Sequence, residues 1–138
     1  MVRFHSEHIE MPSIDEGKIV AWMEKVANSF NKSIGDVQYL ICTDEKMLEY
    51  NNLHLNHDYY TDIITFDYSQ NPYISGDIYI GLETVKSNAA LLKKPFQEEF
   101  YRVLIHGILH LCGLKDKEAK DEIRMREEED KALSMLIY

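Results

Sequence analysis

Positive charge is in short supply in this sequence. Lys and Arg together number 15 against 24 Asp and Glu, for a net charge of −9. Such a chain lacks the broad positive field that non-specific nucleic-acid binding requires. Any polyanionic partner must be met by a bound cation or a local basic patch. Cysteine is scarce too. Cys42 and Cys112 are the only two, form no C-x-x-C pair and make no disulfide framework, so a reduced, cytoplasmic protein is expected. No apolar run approaches the roughly 20 residues that span a bilayer. The segment Met1 to Glu7 lacks the apolar core of a signal peptide. Soluble character and no membrane partner are therefore expected. With three prolines, six glycines, no repeat and no low-complexity tract, the chain reads as one domain over residues 1–138.

What is present is enough for a core. Hydrophobic residues make up 45% of the 138 positions, and a chain of this length buries a core without staples. Val2 to Ile9 reads as an edge strand. Ser13 and Glu16 have capping-box spacing, followed by a helical stripe of Ile14, Ile19, Trp22, Val26 and Phe30. Val37 to Cys42 reads as a buried strand, and Thr43 or Asp44 caps a short helix carrying Met47, Leu48 and Tyr50. Thr61 to Tyr68 and Asp77 to Ile80 read as hairpin-joined strands, with turn signals at Asn71-Pro72 and Ser75-Gly76. A helix from Leu82 to Leu92 ends before Pro95, which fits the first turn of another helix running to about Cys112. A charged helix closes the chain from about Lys117 to Leu136. The expected fold is α+β, with about five helices on a small mixed four-stranded sheet.

The sharpest motif is Ile105-His106-Gly107-Ile108-Leu109-His110-Leu111-Cys112-Gly113-Leu114-Lys115-Asp116. His106 and His110, four apart on a helix, share one face one turn apart. Each offers a neutral nitrogen to a single metal ion, and Gly113 turns the chain so that Asp116 supplies a third ligand. Three protein ligands leave a position open for water, which the ion activates for hydrolysis. Zn²⁺ suits the set, although other divalent ions are possible. Metalloproteases share the histidine spacing but carry glutamate after the first histidine; here that position is Gly107.

These residues resemble the rRNA-maturation endoribonuclease (YbeY) family, whose pattern is H-G-x-L-H-L-x-G-Y-D-H. His106, Gly107, Leu109, His110, Leu111 and Gly113 match. A second family block, L-N-x-x-Y-R-x-x-D-x-P-T-D-V-L-S-F, corresponds to Tyr50-Asn51 through Asp58 and Thr61-Asp62-Ile63-Ile64-Thr65-Phe66. A third, G-D-I-x-I, is Gly76-Asp77-Ile78-Tyr79-Ile80. The resemblance implies a zinc-dependent, single-strand-specific endoribonuclease. It also implies processing of ribosomal RNA, notably the 3′ end of the small-subunit RNA, and ribosome quality control. The ribosome, ribosomal proteins or an assembly GTPase would be its partners.

Four of the chain's departures from the family bear on the site. The third histidine falls on Asp116, the arginine on Leu55, the proline on Tyr60 and the tyrosine on Leu114. Asp116 is a competent zinc ligand, but it reduces the positive charge of a loaded site. Leu55 cannot contact phosphate, so His57, Lys86, Lys93, Lys94 or Arg102 are candidates to supply positive charge. Glu99, seven residues before His106, and Asp62 are candidates for general base or for supporting the metal ligands. Arg124 to Asp130 mixes charges and reads as a solvated face. The alternative function is a non-catalytic ribosome-assembly factor with a structural metal, and a metalloprotease is a more distant one.

Overall fold

The computed structural model describes residues 1–55 and 61–136, and the side chains of residues 54 and 55 lie outside the described set. Four strands, β1 (Val2–Glu7), β2 (Ser33–Cys42), β3 (Ile63–Asp67) and β4 (Tyr73–Gly81), form one sheet in the order β1-β2-β4-β3. The β1–β2 and β2–β4 pairs are parallel, while β3 and β4 are antiparallel. Among the described residues five helices surround it: α1 (Glu16–Ser29), α2 (Asp44–Leu55), α3 (Leu82–Leu91), α4 (Phe96–Leu111) and α5 (Ala119–Ser134). This is the mixed α+β architecture expected from the hydrophobic pattern.

The two-residue period of a strand explains the layering. On β4, Ile74, Ile78 and Ile80 enter a large core with residues of α1, α3, α4 and α5. Tyr79 points to the other face, where it meets Tyr50 and Phe66 over a smaller cluster of Cys42, Met47 and Ile64. Helix α4 is the central helix, buried around most of its circumference from Glu99 to Leu111. Two buried hydrogen bonds tie the layers together. The Tyr39 hydroxyl donates to Leu104 O at 2.6 Å, and Trp22 Nε1 donates to Ala132 O at 2.8 Å.

The local signals hold in kind and differ in detail. The α1 cap is Asp15, whose Oδ1 accepts from Lys18 N at 3.1 Å, rather than Ser13. Ser75-Gly76 lies inside β4 and is no turn. Pro95 is the N-cap of α4, one residue before the helix proper. Thr43 Oγ1 accepts from Lys46 N at 3.2 Å, so Thr43 caps α2. Asp44 instead bridges two helix starts: its Oδ1 accepts from Thr84 N at 3.0 Å, and Glu83 Oε1 accepts from Asp44 N at 2.8 Å.

Candidate active site

One face of α4 carries Glu99, Arg102, Val103 and His106, at spacings of three, four and seven residues. These side chains line a cavity of about 280 Å³ together with Thr61, Asp62 and Ile63 at the start of β3, Asp116, and Arg126 and Glu129 of α5. The cleft thus lies where the central helix, a sheet edge and the last helix meet. Gly107 does not face it. A Cβ at that position would sit 2.7 Å from Ile78 Cδ1 and 3.2 Å from Ile78 Cγ2. The position that holds the general base in a metalloprotease here packs onto the sheet, which removes that reading on geometry.

The turn after α4 brings Asp116 back to the helix. Gly113 has φ +108°, a conformation that favours glycine. Gly113 N donates to His110 O at 3.0 Å and Leu114 N donates to Leu109 O at 3.2 Å, a Schellman closure sealed by buried Leu114. Asp116 Oδ2 then lies 3.3 Å from His106 Nε2. Asp116 does not cap α5, whose N-cap is Glu118.

The other nitrogen of the same ring is fixed. His106 Nδ1 lies 2.6 Å from Glu129 Oε2. Glu129 Oε1 accepts from Arg102 Nη1 at 3.0 Å, and Arg102 Nη2 donates to Asp130 Oδ1 at 2.6 Å. Glu129 is 5% exposed, so the solvated-face reading of Arg124 to Asp130 is wrong at that residue. A signal existed: Met125, Glu129 and Ala132 form a buried stripe at helical spacing, and the acid occupies one of its positions. Arg126, also in the cleft, carried no such signal.

The titrations follow from this packing. Burial lowers the His106 pKa, but the hydrogen bond and charge of Glu129, aided by Asp116 and Asp62, raise it overall. Burial raises the Glu129 pKa, and the His106 and Arg102 contacts outweigh it, leaving the carboxylate below its ordinary range. Asp62 is raised by burial against the opposing charge of His106. Glu99 is raised by burial against Arg102, and its Oε1 is buried without a hydrogen-bond partner.

Of the expected site residues, His106, Asp116, Asp62 and Glu99 converge on one cleft. His110 is half-buried one turn beyond His106, outside that lining, and its Nδ1 is buried without a hydrogen-bond partner. His57 lies outside the described residues, as do the side chains of His54 and Leu55. Lys86 lines a different cavity near Phe96. Arg102 is in the cleft but is occupied by Glu129 and Asp130.

Among the described residues no three His, Cys, Asp or Glu side chains are gathered closely enough to hold a metal ion. The chemistry of the cleft nevertheless fits a divalent cation. Its lining holds four carboxylates, Asp62, Glu99, Asp116 and Glu129, against two guanidiniums, Arg102 and Arg126. A charge of +2 would balance that excess. The Glu129 carboxylate on Nδ1 leaves Nε2 of His106 directed toward Asp116, the arrangement that orients metal-binding histidines.

Residues 3–137 match the family model described as endoribonuclease YbeY. A protein named endoribonuclease YbeY from Phocaeicola vulgatus is 45% identical over 136 residues, covering 99% of both chains. One of the same name from Bacteroides fragilis is 47% identical over 134 residues, covering 97% of this chain and 96% of that one. The solution structure of a Thermotoga maritima protein superimposes with a TM-score of 0.64 at 25% identity, covering 99% of this chain and 89% of that one.

Proposed function

This chain belongs to the endoribonuclease YbeY family, and we propose on that premise that it is a zinc-dependent endoribonuclease cutting single-stranded ribosomal RNA. The endoribonuclease activity itself, with RNA as substrate, follows from full-length relatives of that name. The finer reading assigns it to the 3′ end of the small-subunit RNA and to ribosome quality control in the cytoplasm. Ribosomal proteins or an assembly GTPase are the partners this implies.

The observation that carries the metal-dependent reading is His106, held by Glu129 on one nitrogen and facing Asp116 on the other. His106, Asp116 and His110 are the residues that would hold the ion, and the unpartnered Nδ1 of His110 fits such a role. When bound, a divalent ion supplies Lewis acidity at the phosphoryl group and activated water near neutral pH. With aspartate rather than a third histidine, a zinc-loaded site has a net charge of +1 rather than +2, and its water is correspondingly less acidic.

The protein's own groups do the rest. Glu129 fixes the tautomer and direction of the His106 ring. Arg102 holds Glu129 in place and, after His106, helps keep that carboxyl below its ordinary pKa. Glu99 and Asp62 both bind protons more tightly than ordinary carboxylates, which suits a group that accepts a proton from an attacking hydroxyl near neutral pH. Both line the cleft beside His106.

The test is cleavage of an end-labelled single-stranded RNA by protein purified without chelator, with metal content measured on the same sample. About one zinc per chain, cleavage lost on chelation and restored by zinc, and both lost in His106→Ala support the reading. Cleavage that persists in a metal-free sample overturns its metal dependence. A cyclic phosphate at the product end would identify the RNA's own 2′-hydroxyl as the nucleophile in place of water.

A further inference from the structure

We propose that Arg126 is the residue that contacts a substrate phosphate, at the point where the RNA strand crosses from the catalytic cleft into a groove along α5. This rests on the endoribonuclease reading above. Beside the cleft lies a second, wider cavity of about 630 Å³, walled on the α5 side by Ala119, Glu122, Ile123 and Glu127. Four residues, His106, Asp116, Arg126 and Glu129, line both spaces. The two cavities therefore adjoin, and these four residues form the waist between them. A polynucleotide strand bound for internal cutting must extend on both sides of the reacting phosphodiester. Two adjoining cavities that share the His106–Asp116 pair give a strand room on both sides of the site.

Among the described residues, Arg126 is the available cation at the waist. Its side chain is 57% exposed, and its ion pair with Glu129 is a loose one, Nη1 to Oε1 at 3.8 Å. That oxygen already accepts from Arg102 Nη1 at 3.0 Å. Arg102, the other guanidinium of the cleft, has a side chain only 9% exposed and directs both terminal nitrogens to carboxylates. Its terminal nitrogens are thus already engaged by carboxylates. Arg126 keeps its fork open to solvent, and a guanidinium fork matches a phosphate bidentately. On the α5 side of the waist, Ile123 is 62% exposed within the groove and offers an apolar surface to a base.

Helix α5 also contains the control. Arg124 is exposed, two positions away, and lines a separate cavity with Gly113, Leu114, Lys115 and Asp121. Arg124→Ala and Arg126→Ala remove the same charge from the same helix, so a difference between them reports contact rather than overall field. The experiment measures binding and cleavage of a fluorescein-labelled, mixed-sequence single-stranded RNA by the zinc-loaded full chain and its Arg124→Ala, Arg126→Ala and Arg126→Lys variants, across a salt series.

Arg126→Ala is expected to lower kcat/KM by about ten- to a hundredfold, the value of a charge-assisted hydrogen bond. It should also flatten the log–log salt dependence of binding by about 0.7, the contribution of one phosphate contact on a single strand. Arg126→Lys should keep the salt slope but recover only part of kcat/KM, because the fork is lost. Arg124→Ala should stay within about twofold of the parent. If the parent cuts RNA and Arg126→Ala behaves as Arg124→Ala does, the assignment of Arg126 is overturned while the endoribonuclease reading stands. A parent that cuts no RNA overturns that reading, and this one with it.

Discussion

Glu129 Oε2 lies 2.6 Å from His106 Nδ1, joining two helices through residues 23 positions apart in the chain at the centre of the cleft. The same carboxylate neutralises Arg102, whose side chain is nearly buried. One acid on the last helix therefore orients the His106 ring and compensates a buried cation.

Glu129→Gln should separate these roles. An amide keeps an acceptor for Arg102 but gives His106 a weaker and uncharged partner. Zinc affinity should fall about 10–100-fold, as it does when such an orienting carboxylate is lost. Competition against a chromophoric chelator reads this without any activity assay. Glu129→Ala should in addition leave Asp130 as the remaining carboxylate on Arg102, destabilising the fold in denaturant unfolding by less than the about 3–5 kcal/mol of a fully broken buried pair. Unchanged zinc affinity in Glu129→Gln would show that the carboxylate serves stability alone.

His110 makes the opposite prediction. Its buried Nδ1 has no hydrogen-bond partner, and an unsatisfied buried polar atom costs about 1–3 kcal/mol. His110→Leu should therefore leave the metal-free protein at least as stable as the parent, with a gain of up to about 1 kcal/mol from removing that cost. It should nevertheless abolish zinc binding. A metal-free His110→Leu protein that is clearly less stable than the parent would mean that the ring serves packing.

Much of this was legible in the sequence, for reasons that particular residues illustrate. The strands and helices declared themselves because Ile78 and Ile80 keep one face of β4, and because α4 is apolar on most of its circumference, whereas Ser75-Gly76 hid the first half of β4 behind a turn signal. Capping was harder, since Ser13 and Asp15 are both good caps and only the entry path of the chain selects Asp15. In the site, His106 and Asp116 were legible because the Gly113 turn is local. Glu129 and Arg126 were not, because a charged run on a helix looks solvated until another helix is known to cover one side of it. Tertiary contact between α4 and α5 is information that no short window contains.

The two thiols should be inert in the native protein. Burial pushes Cys42 up to about 12, with Glu7 and Asp44 adding to the rise. Burial also pushes Cys112 up to about 11, opposed by Lys32 and assisted by Asp67. Reaction requires the thiolate, which at Cys112 near pH 7 amounts to roughly one part in ten thousand. Iodoacetamide near neutral pH should label neither cysteine until the protein is unfolded, and raising the pH should speed labelling of Cys112 before that of Cys42. Rapid native labelling at neutral pH, followed by mass spectrometry, would contradict this.

Gly107 offers the test of how α4 is seated on the sheet, because two opposing effects have comparable sizes. Alanine in a helix interior is favoured over glycine by about 0.5–1 kcal/mol. The added methyl, however, would approach Ile78 Cδ1 to 2.7 Å and Cγ2 to 3.2 Å. Ile78 is fully buried. Its Cδ1 can swing aside by rotation, but Cγ2 moves only with the whole side chain or the strand. Overpacking of this kind costs about 1–3 kcal/mol, so the steric term should win, and Gly107→Ala should be destabilised by about 1–2 kcal/mol once the helix gain is subtracted. Ile78→Val removes the atom at 2.7 Å and makes room for the methyl. The double variant should then be more stable than the sum of the two single changes predicts, a coupling that denaturant unfolding of the parent, both single variants and the double variant measures directly. Strict additivity would mean that α4 shifts away from the sheet instead, and the distance between His106 and Asp62 would shift with it.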